Sequence, residues 1–186
     1  MRGVCVMLKK YLFLGLLGIA CLLNGKEVVI ENLDFSAGLQ NWRCAGNRSN
    51  FQVIPIDGIN TLVVRGPGQD ETPVSGYQHI FIPIPVSGEE VRGWKVTLSA
   101  EIKVERLSGS FKLMIRESRK KTTIHYRQTI ISKWEPMGEW NRYNCECYVS
   151  RNTERLHIYL QSCFLMPGDK LYVRNLKLDI SSRNKR

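Results

Sequence analysis

Trp94-Lys95-Val96-Thr97-Leu98-Ser99-Ala100-Glu101-Ile102-Lys103-Val104 decides the class of fold. Apolar and polar residues alternate through it without a break. Trp94, Val96, Leu98, Ala100, Ile102 and Val104 fall on one side, and Lys95, Thr97, Ser99, Glu101 and Lys103 on the other. Successive side chains of an extended chain point to opposite faces, so this period of two marks a strand buried on one side. Working outward, Phe111, Leu113 and Ile115 alternate with Lys112, Met114 and Arg116. Leu156, Ile158 and Leu160 alternate with His157, Tyr159 and Gln161 in the same way. Further strands are expected near Val28–Ile30, Phe51–Ile54, Thr61–Val64, Tyr77–Ile84, Thr122–Ile131, Arg142–Val149 and Leu171–Ile180. Turn residues separate them at Gly66 to Gly68, Ser87-Gly88, Ser108-Gly109, Pro136 to Gly138, Ser150 to Thr153 and Pro167-Gly168. About ten short strands with no sustained helical period predict an all-β sandwich or barrel.

The N-terminus has a different character. Arg2, Lys9 and Lys10 precede the apolar run Tyr11 to Leu23. Thirteen residues are too few to span a bilayer core, which takes roughly 20. They match the apolar region of a secretory signal. Residues 1–25 are therefore read as a signal peptide, 26–180 as the β-sandwich domain and 181–186 as a flexible basic tail. Leu17-Gly18-Ile19-Ala20-Cys21 resembles a bacterial lipobox, with Gly18 where Leu is usual, so lipidation at Cys21 competes with plain cleavage near Asn24-Gly25. Either outcome places the protein outside the cytoplasm: periplasmic, cell-surface or secreted, lipid-anchored in the first case. Removing residues 1–25 leaves 24 Lys and Arg against 17 Asp and Glu, a net charge of +7. That excess favours anionic partners or simply solubility.

Cys5 and Cys21 belong to the signal region, leaving Cys44, Cys145, Cys147 and Cys163. An even count in an exported chain predicts disulfides. Cys145 and Cys147 point to one face of a strand and are badly placed to bond each other, so Cys44 and Cys163 are their candidate partners. Cys-x-Cys with scattered histidines lacks the paired spacing of a structural zinc site, and no metal is expected.

Asn32-Leu33-Asp34-Phe35-Ser36-Ala37-Gly38 followed by Asn41-Trp42 resembles the opening of jelly-roll carbohydrate-binding modules of the xylan- and glucan-binding kind, with a galactose-binding-like fold. Gly76-Tyr77-Gln78, Trp94 to Ala100, the Trp140 strand and the closing Leu171-Tyr172-Val173-Arg174-Asn175-Leu176-Lys177-Leu178 extend the likeness over Val28 to Ile180. The resemblance implies a jelly roll, a buried Trp42 and a non-catalytic role in binding polysaccharide. Such modules often hold a structural calcium. The matching positions here are Ser36 and Arg174-Asn175, which lack the carboxylates that calcium wants, so no cofactor is expected.

A sugar site needs an aromatic face with polar groups around it. The outward positions Lys112, Arg116, His125, Arg127, Tyr159 and Gln161 form a basic, polar set with one aromatic, suited to an acidic glycan; Glu101 and Lys103 are similar in type. The run Arg116 to Lys121 is the densest basic stretch and falls at an expected hairpin tip. His79, His125 and His157 stand apart, and no Gly-x-Ser-x-Gly, His-Glu-x-x-His or phosphate loop occurs, so an enzyme is not expected. Export argues against nucleic acid. The competing reading is a structural or adhesion domain that contacts protein at the cell surface.

Overall fold

The computed structural model describes residues 30–68 and 76–182. Ten strands form two five-stranded sheets. They are β1 (Arg43–Ala45), β2 (Phe51–Ile56), β3 (Ile59–Arg65), β4 (Tyr77–Ser87), β5 (Lys95–Arg106), β6 (Ser110–Arg119), β7 (Thr122–Ser132), β8 (Trp140–Tyr148), β9 (Arg155–Cys163) and β10 (Lys170–Ser181). The front sheet runs β1-β4-β9-β6-β7 and the back sheet β2-β3-β10-β5-β8. All strand pairs are antiparallel. The alternation read in the sequence closes this sandwich. Val96, Leu98, Ala100, Ile102 and Val104 of β5 face Phe111, Leu113 and Ile115 of β6 and Leu156, Ile158 and Leu160 of β9 in one buried core. Each of the larger of these contributes about 1.5–3 kcal/mol by leaving water. The fold is the all-β jelly-roll sandwich expected.

Two features differ from expectation, and other readings fall on residues that are not described. The signal-peptide and lipidation readings, and the Val28–Ile30 strand apart from Ile30, lie outside the described residues. Ser181 is not tail but the last residue of β10, paired with Lys95. The expected disulfides are absent: Cys44, Cys145, Cys147 and Cys163 are free. The topology explains it. Cys44 sits on β1, one edge of the front sheet, whereas β8 packs beneath β6 and β7 at the other edge. Four strand spacings, roughly 19 Å, separate those edges. Cys163 pairs in register with Tyr77 and Ser110 and so shares their side of the front sheet, away from the core that receives Cys145 and Cys147. Burial pushes the Cys147 thiol up to about 12.

The segment before β1 packs as a compact loop. Asn32 Nδ2 donates to the carbonyls of Gly38 (3.0 Å) and Gln40 (2.6 Å), and its Oδ1 accepts from Ala37 N (2.7 Å). Trp42 is buried as the resemblance implied, stacked on Phe35 and donating its indole N–H to the Asn32 carbonyl. β1 pairs only with His79–Phe81, so residues 82–87 of β4, Pro83 and Pro85 among them, have no partner strand on that side among the described residues.

The registers also sort the connections by end. Lys170 pairs with Arg106, Ser110 with both Cys163 and Ser132, and Lys103 with Trp140. The β5–β6, β7–β8 and β9–β10 connections therefore share one end, called here the distal end. Buried Asp169 ties two of them together. Its carboxylate accepts from Ser108 N (3.0 Å), Ser108 Oγ (2.9 Å) and Met166 N (2.9 Å). At the opposite end, Ser150 N and the Thr153 hydroxyl donate to buried Glu117.

Candidate functional site

The outer face of the front sheet carries the chemistry. Register places Arg43, Phe81, Tyr159, Met114 and Gln128 in one row across the strands. The neighbouring rows are His79, Gln161, Lys112 and Ile130, and Pro83, His157, Arg116 and Tyr126. At the centre Phe81 and Tyr159 stack, centroids 4.9 Å apart and 7° from parallel. His79 and His157 flank Tyr159 at 5.1 and 6.2 Å. Arg116 lies over the Tyr159 ring and donates to its hydroxyl at 2.8 Å. A guanidinium held this way is fixed before any ligand arrives, which lowers the cost of binding an anion.

Both histidines are held below the usual imidazole range, first by burial and then by Arg116. Their Nδ1 atoms are buried without a hydrogen-bond partner, so a proton placed there would find no acceptor. The rings are neutral walls of the platform.

Beside the platform lies a depression of about 380 Å³ lined by Tyr77, Lys112, Met114, Arg116, Thr123, Tyr126, Gln128 and Gln161. Its two tyrosines are open, 58% exposed for Tyr77 and 54% for Tyr126. Lys112 Nζ sits 5.3 Å from the Tyr77 ring centre. Tyr77 is level with Ser110 and Tyr126 with Arg116, three strands apart. The groove is thus roughly 14 Å across the strands and 20 Å along them. Flat aromatic faces at each end with two amides and two cations between them meet both sides of a pyranose, its apolar face and its hydroxyls.

Charge on this sheet is one-sided. Its five strands contain a single carboxylate, Glu117, which points inward and is buried, whereas Arg43, Lys112 and Arg116 face out. The back sheet differs, since three of its four carboxylates are matched by cations. Glu101 accepts from Arg174 Nε (2.9 Å), Glu146 meets Lys95 (2.9 Å) and Glu105 meets Lys170 (3.0 Å). Trp140 is covered there by Arg174, 3.8 Å from its ring centre.

Of the residues expected from the sequence, Lys112, Arg116, Tyr159 and Gln161 share this outer face. Tyr159 is only 7% exposed, so it forms the floor and holds Arg116 rather than meeting a ligand broadly. His125 and Arg127 are corrected: they pair with inward-facing Glu117 and Ile115 and point to the other side of β7. They remain exposed because β7 is an edge strand. Thr122–Ile131 has no clean alternation, and a register shift after Glu117 leaves its parity unreadable from sequence. Glu101 and Lys103 lie on the back sheet. Arg119 and Lys120, at the tip of the β6–β7 hairpin, meet Glu154. Tyr77, Tyr126 and Gln128 were not anticipated; the alternation of Tyr77, His79 and Phe81 with Gln78, Ile80 and Ile82 is the signal that places Tyr77 outward.

No protein-family model and no curated protein matches the chain by sequence. Its structure is similar to several solved ones. It aligns with TmCBM61, solved in complex with beta-1,4-galactotriose, at TM-score 0.55 and 15% identity, over 82% of this chain and 98% of that one. The CBM22-2 xylan-binding domain of Paenibacillus barcinonensis Xyn10C aligns at TM-score 0.54 and 13% identity, over 80% and 97%. A cyclase from Fischerella sp. aligns at TM-score 0.62 and 11% identity, over 87% and 99%. The enzymatically active domain of bacteriophage CBA120 tailspike protein 4 also aligns, but this chain spans only 21% of it. At these identities the likeness shows the fold: the chain has the jelly-roll architecture of carbohydrate-binding modules.

Proposed function

We propose that the protein is an exported, non-catalytic module that binds an acidic polysaccharide along the outer face of the front sheet. The observation that carries the reading is the groove between Tyr77 and Tyr126. Open aromatic faces, Gln128 and Gln161 suit a glycan, and Arg116 and Lys112, with no carboxylate lining the groove among the described residues, suit its acidic groups. The fold's use in proteins named as carbohydrate-binding modules supports this, though their architecture also occurs in cyclases. Glycoside hydrolysis takes a pair of carboxylates across the scissile bond, and the groove is lined by none among the described residues.

An array of neutral, uronate-bearing and sulfated glycans tests the proposal, with Tyr126→Ala and Arg116→Ala alongside. Binding should concentrate on the acidic glycans and weaken as salt rises from 0.05 to 0.5 M. Removing one charge-assisted contact should cost about tenfold in affinity or more. Folded protein that binds no glycan, or binds equally well without Tyr126 and Arg116, would overturn the reading.

A further inference from the structure

The groove uses Lys112 and Arg116, yet the outer face of the front sheet carries two further guanidiniums outside it. Arg155 stands two residues before His157 on β9, on the same outward side, and pairs with Ser118 as His157 pairs with Arg116. Arg116 and Arg155 are thus roughly 8 Å apart at the backbone, one strand spacing across and two residues along. Arg43 enters from β1 beside Phe81, whose ring lies 6.1 Å from that of His157. Burial holds the His157 imidazole below its usual range, and the charges of Arg116, Arg155 and Arg43 hold it lower still; no acid is among the groups acting on it. Neither Arg43 nor Arg155 has a carboxylate at ion-pair distance among the described residues. Two acidic groups flank the cluster and both are engaged. Glu31, which lines the adjoining depression with Arg43, accepts from Asn41 Nδ2 (3.3 Å), and Glu154 meets Arg119 and the Lys120 N–H. Glu27 falls outside the described residues. Like charges gathered on one face of a sheet destabilise it, and a bound anion removes that cost.

We propose that Arg43, Arg116 and Arg155 form a subsite over His157 for a sulfate or phosphate ester carried by the glycan; this rests on the groove as a glycan site and names the acidic group its ligand bears. The shape of the cluster favours an ester over a carboxylate. A carboxylate has two oxygens in one plane and is satisfied by a single guanidinium fork. Guanidiniums arriving from β1, β6 and β9 approach from three sides, which suits the three free oxygens of a sulfate or phosphate ester. Clusters of arginine read phosphate esters in other recognition surfaces by the same charge-assisted hydrogen bonds. The floor supports the assignment: Phe81, Tyr159 and His157 present ring surface there, and one of the three cations is already fixed, since Arg116 donates to the Tyr159 hydroxyl. Arg116 also belongs to the groove. Tyr126, Arg116 and His157 follow one another in a single row across β7, β6 and β9, so a sugar stacked on Tyr126 meets Arg116 next and the cluster beyond it.

Binding of the full chain to dextran sulfate, dextran phosphate and carboxymethyl dextran, matched in length and charge density, tests the proposal in about 0.15 M salt. The polymer backbone is common to the three, so only the anionic group differs. At least one ester should bind about tenfold or more tightly than the carboxymethyl form, and the one that does identifies the group. Arg43→Ala/Arg155→Ala should abolish that preference. Arg142→Ala/Lys177→Ala, which removes as many cations from the back sheet, should keep it. All four residues are exposed, so the substitutions leave the core untouched. Equal binding of the esters and carboxymethyl dextran would overturn the proposal, as would a preference that the front-sheet pair retains or the back-sheet pair also loses. Tyr126→Ala separates this result from the groove. Glycans that bind through Tyr126 without regard to Arg43 and Arg155 would leave the groove standing and refute the subsite. An ester preference that survives Tyr126→Ala, with no glycan bound on the array, would refute the groove and leave the subsite.

Discussion

Replacing Asp169 by alanine removes the acceptor that organises the distal end. Three donors lose their partner: the backbone N–H groups of Ser108 and Met166 and the Ser108 hydroxyl. The hydroxyl can turn toward water, so it contributes little. The two backbone groups cannot turn, and a partly buried N–H left unpaired costs about 1–3 kcal/mol. The Arg106 contact, long at 3.9 Å and with an exposed guanidinium, adds almost nothing. Relief from keeping a buried carboxylate out of water offsets part of the loss. The net destabilisation is expected near 3 kcal/mol. A domain of this size loses about 2–4 °C in Tm per kcal/mol, so Tm should fall by about 6–12 °C. Differential scanning calorimetry measures it, with Asp169→Asn as companion. The amide keeps one acceptor oxygen but turns an NH2 toward donors, so it should lie between wild type and alanine. A fall below about 2 °C for Asp169→Ala would refute the reasoning and show that water or a shifted loop replaces the carboxylate at no cost.

Two further outcomes are expected. His79 and His157 are held below the usual range in the folded state, so the unfolded chain takes up protons first as pH falls. Their contribution to stability is whole above about pH 6.5 and is lost as pH drops through their folded values. The Tm of wild type should thus fall more steeply from pH 7 to 5 than that of His79→Phe/His157→Phe; parallel curves would remove the neutral-wall assignment. The free cysteines give the other test. A reductant should leave Tm unchanged, and a thiol reagent should modify Cys44, which is half-buried, well before Cys145 or Cys147. A drop in Tm on reduction would reveal a disulfide.

The fold was readable because β5, β6 and β9 lie in sheet interiors, where one covered side forces strict alternation of the kind Val96 to Val104 displays. Sites on those strands were readable for the same reason: Lys112, Arg116, Tyr159 and Gln161 follow from parity alone. Edge strands obey no such rule. Over residues 125–127, β7 is exposed on both sides, so its polar residues carry no record of which side faces the groove, and parity does not single out Tyr126 over His125 and Arg127. Nor can parity tell that two outward sets belong to different sheets, so the likeness in type of Glu101 and Lys103 to the groove residues says nothing of their place. Cysteine pairing failed differently. An even count constrains number and leaves distance free, and distance was set by strand order.

The half of β4 that no described strand pairs on its outer border has a bearing on how the protein behaves in quantity. Sheet borders with free peptide groups recruit other chains, and a protein at high concentration meets many copies of itself. Pro83 and Pro85 have no N–H to offer, and proline in a strand sits where that donor would have faced solvent. A neighbouring molecule trying to extend the sheet would miss two successive bonds on the same border. Changing both prolines to threonine would preserve the local extended shape while restoring the donors, turning a border that ends the sheet into one that fibres could grow from.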